Sequence, residues 1–389
     1  MNFKNYIPTK VIFGRGSLNN LHKETLPGKK ALIVITSGRS VIDNGYLARL
    51  QKELDISGCQ YIVYNKITNN PTLDEVTNGA EIARQQECDF VIGLGGGSPI
   101  DASKSIAIMA TNEGNYWDYM VKGTGKRKPV TQKPLPIVAI TTTAGTGTET
   151  DPWTVISNES TKEKFGYGIE GTFPVLAIVD PELMLSVPKN YTMYQGFDAL
   201  FHSLEGYLAN IATPISDLYA IKAIELVGKY LPLAIENGND IEARENMALA
   251  NTLSGMVEST SGCISEHAIE HVLSGEYKNL PHGAGLIMVS LAYYTKIAEK
   301  GLSDKRLINM AKALGYENAS VPMDFVKALK DLQIKCGADN LKMSDYGVDK
   351  NRLKEFASLA KIQSPGSFAL DPCDLTVKDV EDIFVSSYK

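Results

Sequence analysis

Short apolar runs alternate with amphipathic stretches up to Pro188, and beyond it no strand-like run remains. Ala31–Thr36, Gln60–Tyr64, Phe90–Leu94, Ile137–Ile140 and Ala177–Val179 read as buried strands. Helices are expected over Gly45–Ile56, Thr72–Gln86 and Ile100–Ala110. Strands and helices of these lengths in alternation build βαβ units around a parallel sheet. After Pro188, apolar residues recur at helical spacing over Tyr191–Ala209, Pro214–Tyr230, Ile241–Val257, His267–Leu273, Ala284–Glu299 and Met323–Leu332. The expected fold is an α/β N-terminal domain, residues 1–188, with a parallel sheet, followed by an all-α C-terminal domain, residues 189–389. A chain of 389 residues exceeds one ordinary core, which agrees with two domains. Lys122–Lys133 is polar and rich in Gly and Pro, and reads as an exposed loop.

Two loops in the first half carry chemistry. Gly93–Asp101 (GLGGGSPID) lies between an expected strand and an expected helix. Gly95, Gly96 and Gly97 let a backbone approach a pyrophosphate, and the following helix offers unpaired N–H groups and the positive end of its dipole. Ser98 stands where the G-x-G-x-x-G pattern has its last glycine. The alternative is a tight turn with Ser98 or Asp101 as a helix cap. Thr141–Glu149 (TTTAGTGTE) again follows a strand, and its hydroxyls suit phosphate, ribose or a carboxamide. Two such loops at the C-terminal ends of strands in one sheet mark a Rossmann-like dinucleotide site. At the end of the first strand, where NAD-binding sites commonly place an acid, the chain has Ser37, Gly38, Arg39 and Ser40. A guanidinium and a hydroxyl suit a 2′-phosphate, so NADP(H) is expected over NAD(H).

The second half holds four of the five histidines, and composition makes them conspicuous. Asp198 and His202 in DALFH are spaced i,i+4, so they share a helix face one turn apart. His267 and His271 in HAIEH form a second such pair, and His282 sits in a PHG turn. Imidazole and carboxylate suit Fe²⁺ or Zn²⁺, and the sequence places no cysteine nearby to argue for a closed structural zinc site. HAIEH also spells H-x-x-E-H, in which Glu270 would activate water in a zinc metallopeptidase. That reading leaves the two loops and the Asp198/His202 pair without a task. His22 reads as a surface residue.

Composition narrows the remaining classes. The net charge is −6 and basic residues form no stripe, so nucleic acid is not an expected partner. The five cysteines are scattered and odd in number, which fits reduced thiols in the cytoplasm. The N-terminus lacks a signal-peptide apolar region, and no apolar run is long enough to span a bilayer, so no membrane association is expected.

With these residues in place the chain resembles the iron-containing (group III) alcohol dehydrogenases, in particular NADPH-dependent butanol dehydrogenase-like members. The resemblance is carried in order by IFGRGS (Ile12–Ser17), NNP (Asn69–Pro71), GGGSPID, TTTAGTGTE, VDPEL (Val179–Leu183), GFDALFHSLEGY (Gly196–Tyr207), HAIEH and LPHG. It implies a dehydroquinate synthase-like fold and hydride transfer between NADP(H) and a small primary alcohol or aldehyde, in a homodimer. It implies Asp198, His202, His267 and His282 as metal ligands for Fe²⁺, with Zn²⁺ as the other candidate. His271 matches a histidine close to the substrate that is not a ligand, and as an imidazole it is suited to relay the proton. Cofactor positions match Asn70, Gly97, Ser98, Asp101, Thr142, Thr143 and Lys164, and the loops add Gly95, Gly96 and Thr146. Asp151 occupies a place near the nicotinamide where the family often has threonine, and the adjacent Trp153 adds bulk. The segment VESTSGCISE before His267 also departs from the family pattern. Glycerol-type dehydrogenases, zinc-dependent polyol enzymes with fewer protein ligands, are the related alternative.

Overall fold

Strands that are apolar along their whole length must be covered on both faces, and the α/β unit, residues Tyr6–Ser186, is built that way. The computed structural model describes residues 2–389. The chain runs through β1 (Lys10–Phe13), β2 (Lys30–Thr36), α1 (Ser40–Asp43), α2 (Tyr46–Ile56), β3 (Gln60–Ile67), α3 (Leu73–Gln85), β4 (Phe90–Gly95), α4 (Gly97–Thr111), α5 (Tyr116–Tyr119) and β5 (Ile137–Thr141). It continues through β6 (Thr154–Asn158), β7 (Glu163–Tyr167) and β8 (Leu176–Val179). Six strands form one parallel sheet in the order β1-β8-β5-β4-β2-β3, and β6 and β7 form an antiparallel hairpin. Side chains alternate between two cores: Ala31, Ile33 and Ile35 of β2 pack with α2, while Leu32 and Val34 pack with α3 and α4. Thr72 caps α3 through a reciprocal pair with Glu75. Lys122–Lys133 forms no helix or strand, as the sequence led us to expect.

The five expected strands are present, each within three residues of its expected ends. Three further strands were not foreseen: β1, at the sheet edge, and the β6–β7 hairpin. The sheet reverses direction between β2 and β4, because β2 leads outward to β3 while β4 leads the other way to β5. Crevices at such reversals, beyond the carboxyl ends of the strands, are where open α/β sheets bind ligands.

The helical unit comprises Val187–Lys389 with the N-terminal residues up to Asn5. It contains α6 (Lys189–Leu208), α7 (Pro214–Glu236), α8 (Ile241–Ser261), α9 (Ser265–Glu276), α10 (His282–Lys300), α11 (Asp304–Ala313), α12 (Met323–Cys336), α13 (Leu353–Gln363), α14 (Pro365–Ala369) and α15 (Val377–Ser387). Helix α6 is buried almost all round from Gly196 to Leu208, which makes it the axis of this unit. Among the described residues no helix is long and apolar enough to cross a membrane.

Candidate active site

Three adjacent strands end at one edge of the parallel sheet, and each ends in a segment singled out from sequence. Gly38, Arg39 and Ser40 follow β2, the glycine loop follows β4, and the threonine loop follows β5. Gly95 is in register with Thr141, and the Thr142 amide donates to the Gly95 carbonyl at 2.8 Å. The helix α4 begins at Gly97, so its unpaired amides open at this edge. A Cβ at Gly97 would lie 2.7 Å from Thr146 Cγ2; glycine there lets the two loops close on each other. Ser98 Oγ donates to the Asn69 carbonyl at 2.6 Å, which ties the turn containing Asn70 to the same edge. Arg39 is exposed and forks onto Asp43 at 2.8 Å, one turn along.

Two of the expected cofactor residues are used differently. Asp101 accepts from Thr148 Oγ1 at 2.6 Å and from the Val155 amide at 2.9 Å. Asp151 is buried, accepts from the Trp153 amide at 2.6 Å and pairs with Lys104 Nζ at 2.9 Å. Lys104, itself fully buried, also donates to Thr148 Oγ1 and to the Trp153 carbonyl, both at 2.6 Å. Burial pushes the Asp151 carboxyl up to about 7, against Lys104 beside it and with the like charge of Asp101 adding to the rise. Both carboxylates therefore brace the threonine loop and the β6–β7 hairpin from inside. Lys164 stands on β7 opposite Ser157, and its charge reaches Asp101.

In the helical unit the sequence pairs converge. Asp198 and His202 lie on α6, His267 and His271 on α9, and His282 is the first residue of α10. The start of α10 can pack against α6 because residue 283 is glycine: a Cβ there would lie 2.2 Å from the Tyr194 carbonyl oxygen. Asp198 Oδ1 is the hub. It lies 3.5 Å from His267 Nε2, 3.5 Å from His282 Nε2 and 3.8 Å from His202 Nδ1. Asp198 Oδ1 and His267 Nε2 are both buried, and neither has a hydrogen-bond partner among the described residues. Such atoms are costly unless something else meets them. Ligands about 2.1 Å from one ion in tetrahedral array stand about 3.4 Å apart, so the residues present fit a divalent cation.

Two carboxylates not foreseen as partners of the histidines complete the arrangement. His267 Nδ1 is hydrogen-bonded to Glu205, and His282 Nδ1 to Glu270, with both carboxylates fully buried. With an ion in place each pairing would leave Nε2 as the lone-pair nitrogen turned to Asp198, the usual backing of a metal-binding histidine. Burial pushes the Asp198 carboxyl up, but His202, His282 and His267 outweigh it and hold it below the usual carboxylate range. Burial pushes His267 down, but Glu205 and Asp198 outweigh it and hold the ring well above the usual imidazole range. A divalent ion would replace the protons those shifts call for. Glu270 is committed to His282, so it is not placed as the water-activating base of a peptidase. His271 lies beside the set, its ring 5.2 Å from that of His282 and 6.1 Å from that of His267.

Cys263 corrects another expectation. It lies in the link between α8 and α9, and its sulfur comes within 4.8 Å of ring nitrogens of His202 and His267. It stands four positions before His267, but the link is not helical, so spacing carried no signal of the approach. None of the five cysteines forms a disulfide.

Comparison with known proteins finds two family models along the chain. The model described as iron-containing alcohol dehydrogenase matches residues 8–181, and that for the C-terminal domain of the Fe-containing alcohol dehydrogenase family matches residues 192–388. The 1,3-propanediol dehydrogenase of Citrobacter freundii is 36% identical over 395 residues, covering 99% of each chain. The NAD-dependent methanol dehydrogenase of Bacillus methanolicus is 37% identical over 319 residues, covering 81% of this chain and 80% of its own. Among solved structures, an archaeal halo-thermophilic alcohol dehydrogenase from a Red Sea brine pool superposes with a TM-score of 0.92 at 34% identity, covering 100% of this chain and 99% of its own.

Proposed function

The chain belongs to the iron-containing alcohol dehydrogenase family, and on that premise we propose that it interconverts a small primary alcohol and its aldehyde with NADP(H). The observation that carries the reading is the unmet Asp198 oxygen encircled by three imidazoles, two of them backed by buried carboxylates. Asp198, His202, His267 and His282 would hold Fe²⁺, or Zn²⁺, which supplies a Lewis acid for the substrate oxygen. A nicotinamide dinucleotide supplies or accepts the hydride.

The chain's own residues do the rest. Gly95, Gly96, Gly97 and Ser98, with the α4 N-terminus, would receive the diphosphate. Thr142, Thr143 and Thr146 would offer hydroxyls, and Asn70 and Lys164 would flank them. Asp101 and Asp151 hold the threonine loop in shape through Thr148 and Lys104. Gly38, Arg39 and Ser40 support a 2′-phosphate: the first acid after β2 is Asp43, and Arg39 already neutralises it. The relatives named above for methanol and 1,3-propanediol support short primary substrates. His271, beside His267 and His282, would carry the substrate proton towards solvent. A cytoplasmic homodimer completes the reading.

The test is direct. Protein loaded with Fe²⁺ under anoxia should oxidise NADPH with butanal or propanal and prefer it to NADH. His267→Ala should lose metal and activity together while still binding NADPH. Turnover failing with every short aldehyde would defeat the proposal.

A further inference from the structure

Cys263 stands on a short, anchored link beside the proposed metal ligands. Helix α8 ends at Gly262, whose left-handed φ of 72° turns the chain out of the helix. The far end of the link is fixed by the Ser265 amide donating to buried Asp371 at 3.0 Å. Between these anchors the Cys263 sulfur lies within 4.8 Å of ring nitrogens of both His202 and His267. Those two rings stack with centroids 4.4 Å apart. An independent feature points to a ligand there: His267 Nε2 is buried and meets no hydrogen-bond partner among the described residues.

We propose that Cys263 is a sulfur donor to the ion held by Asp198, His202, His267 and His282, engaged by thiophilic ions and left aside by hard ones. The inference rests on the metal site proposed above and concerns which ion that site selects. Sulfur and imidazole nitrogen bound to one Zn²⁺ stand about 3.5 Å apart, given bonds of about 2.3 and 2.05 Å. Ligation requires the sulfur to close from within 4.8 Å to about that spacing, on a link that lies outside any helix. Ligation displaces the thiol proton to solvent and changes no oxidation state. Thiolate favours Zn²⁺ and Co²⁺, whereas Mn²⁺ and Fe²⁺ gain less from it. The site so built would discriminate among ions that the Asp/His₃ set alone accepts with little distinction.

The experiment is titration of metal-free full-length protein with Co²⁺ under anoxia, read by absorption. Wild type should show visible ligand-field bands together with a near-ultraviolet sulfur-to-cobalt charge-transfer band. Cys263→Ser and Cys263→Ala should lose the charge-transfer band and keep the visible bands, which also shows that the fold and remaining ligands persist. In chelator competition both variants should bind Zn²⁺ at least tenfold more weakly and Mn²⁺ within twofold of wild type. Visible bands without a charge-transfer band in wild type, or a charge-transfer band that survives in the variants, overturns the role of Cys263 and leaves the metal site standing. No cobalt spectrum in any of the proteins overturns both.

Discussion

Glu205→Gln isolates what a buried carboxylate contributes behind a metal-binding histidine. Glutamine keeps the shape and an acceptor oxygen for the His267 Nδ1–H, so the tautomer that frees Nε2 is retained and only charge is lost. Outer-shell partners of this kind are typically worth 10- to 100-fold in metal affinity, about 1.4–2.7 kcal/mol. Glu205 and His267 are both buried, with side-chain exposures of 0% and 7%, so solvent screens little and the upper half of that range is expected. The matching Glu270→Gln should fall near the lower end, because the His282 side chain is 26% exposed and water can substitute. Zn²⁺ competition against a chromophoric chelator should show the loss. Affinity within twofold of wild type would refute the assignment of Glu205 as the backing of His267.

Lys104→Met removes the buried ammonium shared by Asp151, Thr148 and the Trp153 carbonyl, which should cost about 1–3 kcal/mol in urea unfolding; both tryptophans, Trp117 and Trp153, lie in the α/β unit and report it by fluorescence. Because the folded Asp151 carboxyl sits at about 7 against an ordinary 3.8, the folded state holds a proton there that the unfolded state has lost between those values. That group's contribution to stability should thus fall as pH rises through this window and level off above it, at most about 1.4 kcal/mol per pH unit; Asp151→Asn should flatten the measured slope, and an unchanged slope contradicts the shift. Arg39→Ala should weaken NADPH binding about tenfold and leave NADH within twofold, read by cofactor fluorescence. Chelation should lower the thermal midpoint of the wild type, and a saturating ion at 1,000 times its Kd should restore about 4 kcal/mol; equal midpoints with and without chelator would contradict a site built for a cation.

The sheet strands were legible because a strand buried on both faces must be apolar throughout, and Ala31–Thr36 and Phe90–Leu94 are. The β6–β7 hairpin was not, since Glu163–Tyr167 (EKFGY) is half polar and pairs only with Thr154–Asn158. Helix α15 carried a signal that went unused, the Thr376–Asp379 capping pair ahead of an apolar run. In the site, Asp198, His202 and Glu205 fall at i, i+4 and i+7, one helix face, so Glu205 could have been found from spacing. Glu270 was seen only as the base of the competing H-x-x-E-H reading, because that pattern does not say which way the glutamate turns. Cys263 was beyond spacing altogether, since its approach depends on how the α8–α9 link folds back.

The charge count of the helical unit, taken with the ligand distances, argues for the cation. Asp198, Glu205, Glu266 and Glu270 are all buried around the histidines. Burying several carboxylates together is unfavourable unless they are protonated, hydrogen-bonded or met by positive charge. Glu266 follows the first route, its carboxyl pushed well up and its oxygen receiving the Tyr294 hydroxyl at 2.5 Å. Glu205 and Glu270 are met by His267 and His282, but if those rings carried the compensating protons their Nε2 atoms would point N–H groups at one Asp198 oxygen at 3.5 Å, beyond the usual length of such bonds. A divalent ion at that point satisfies both nitrogens and the Asp198 oxygen, and lets the two carboxylates act on neutral imidazoles. The spacing that is too wide for hydrogen bonds is the spacing a shared ion requires.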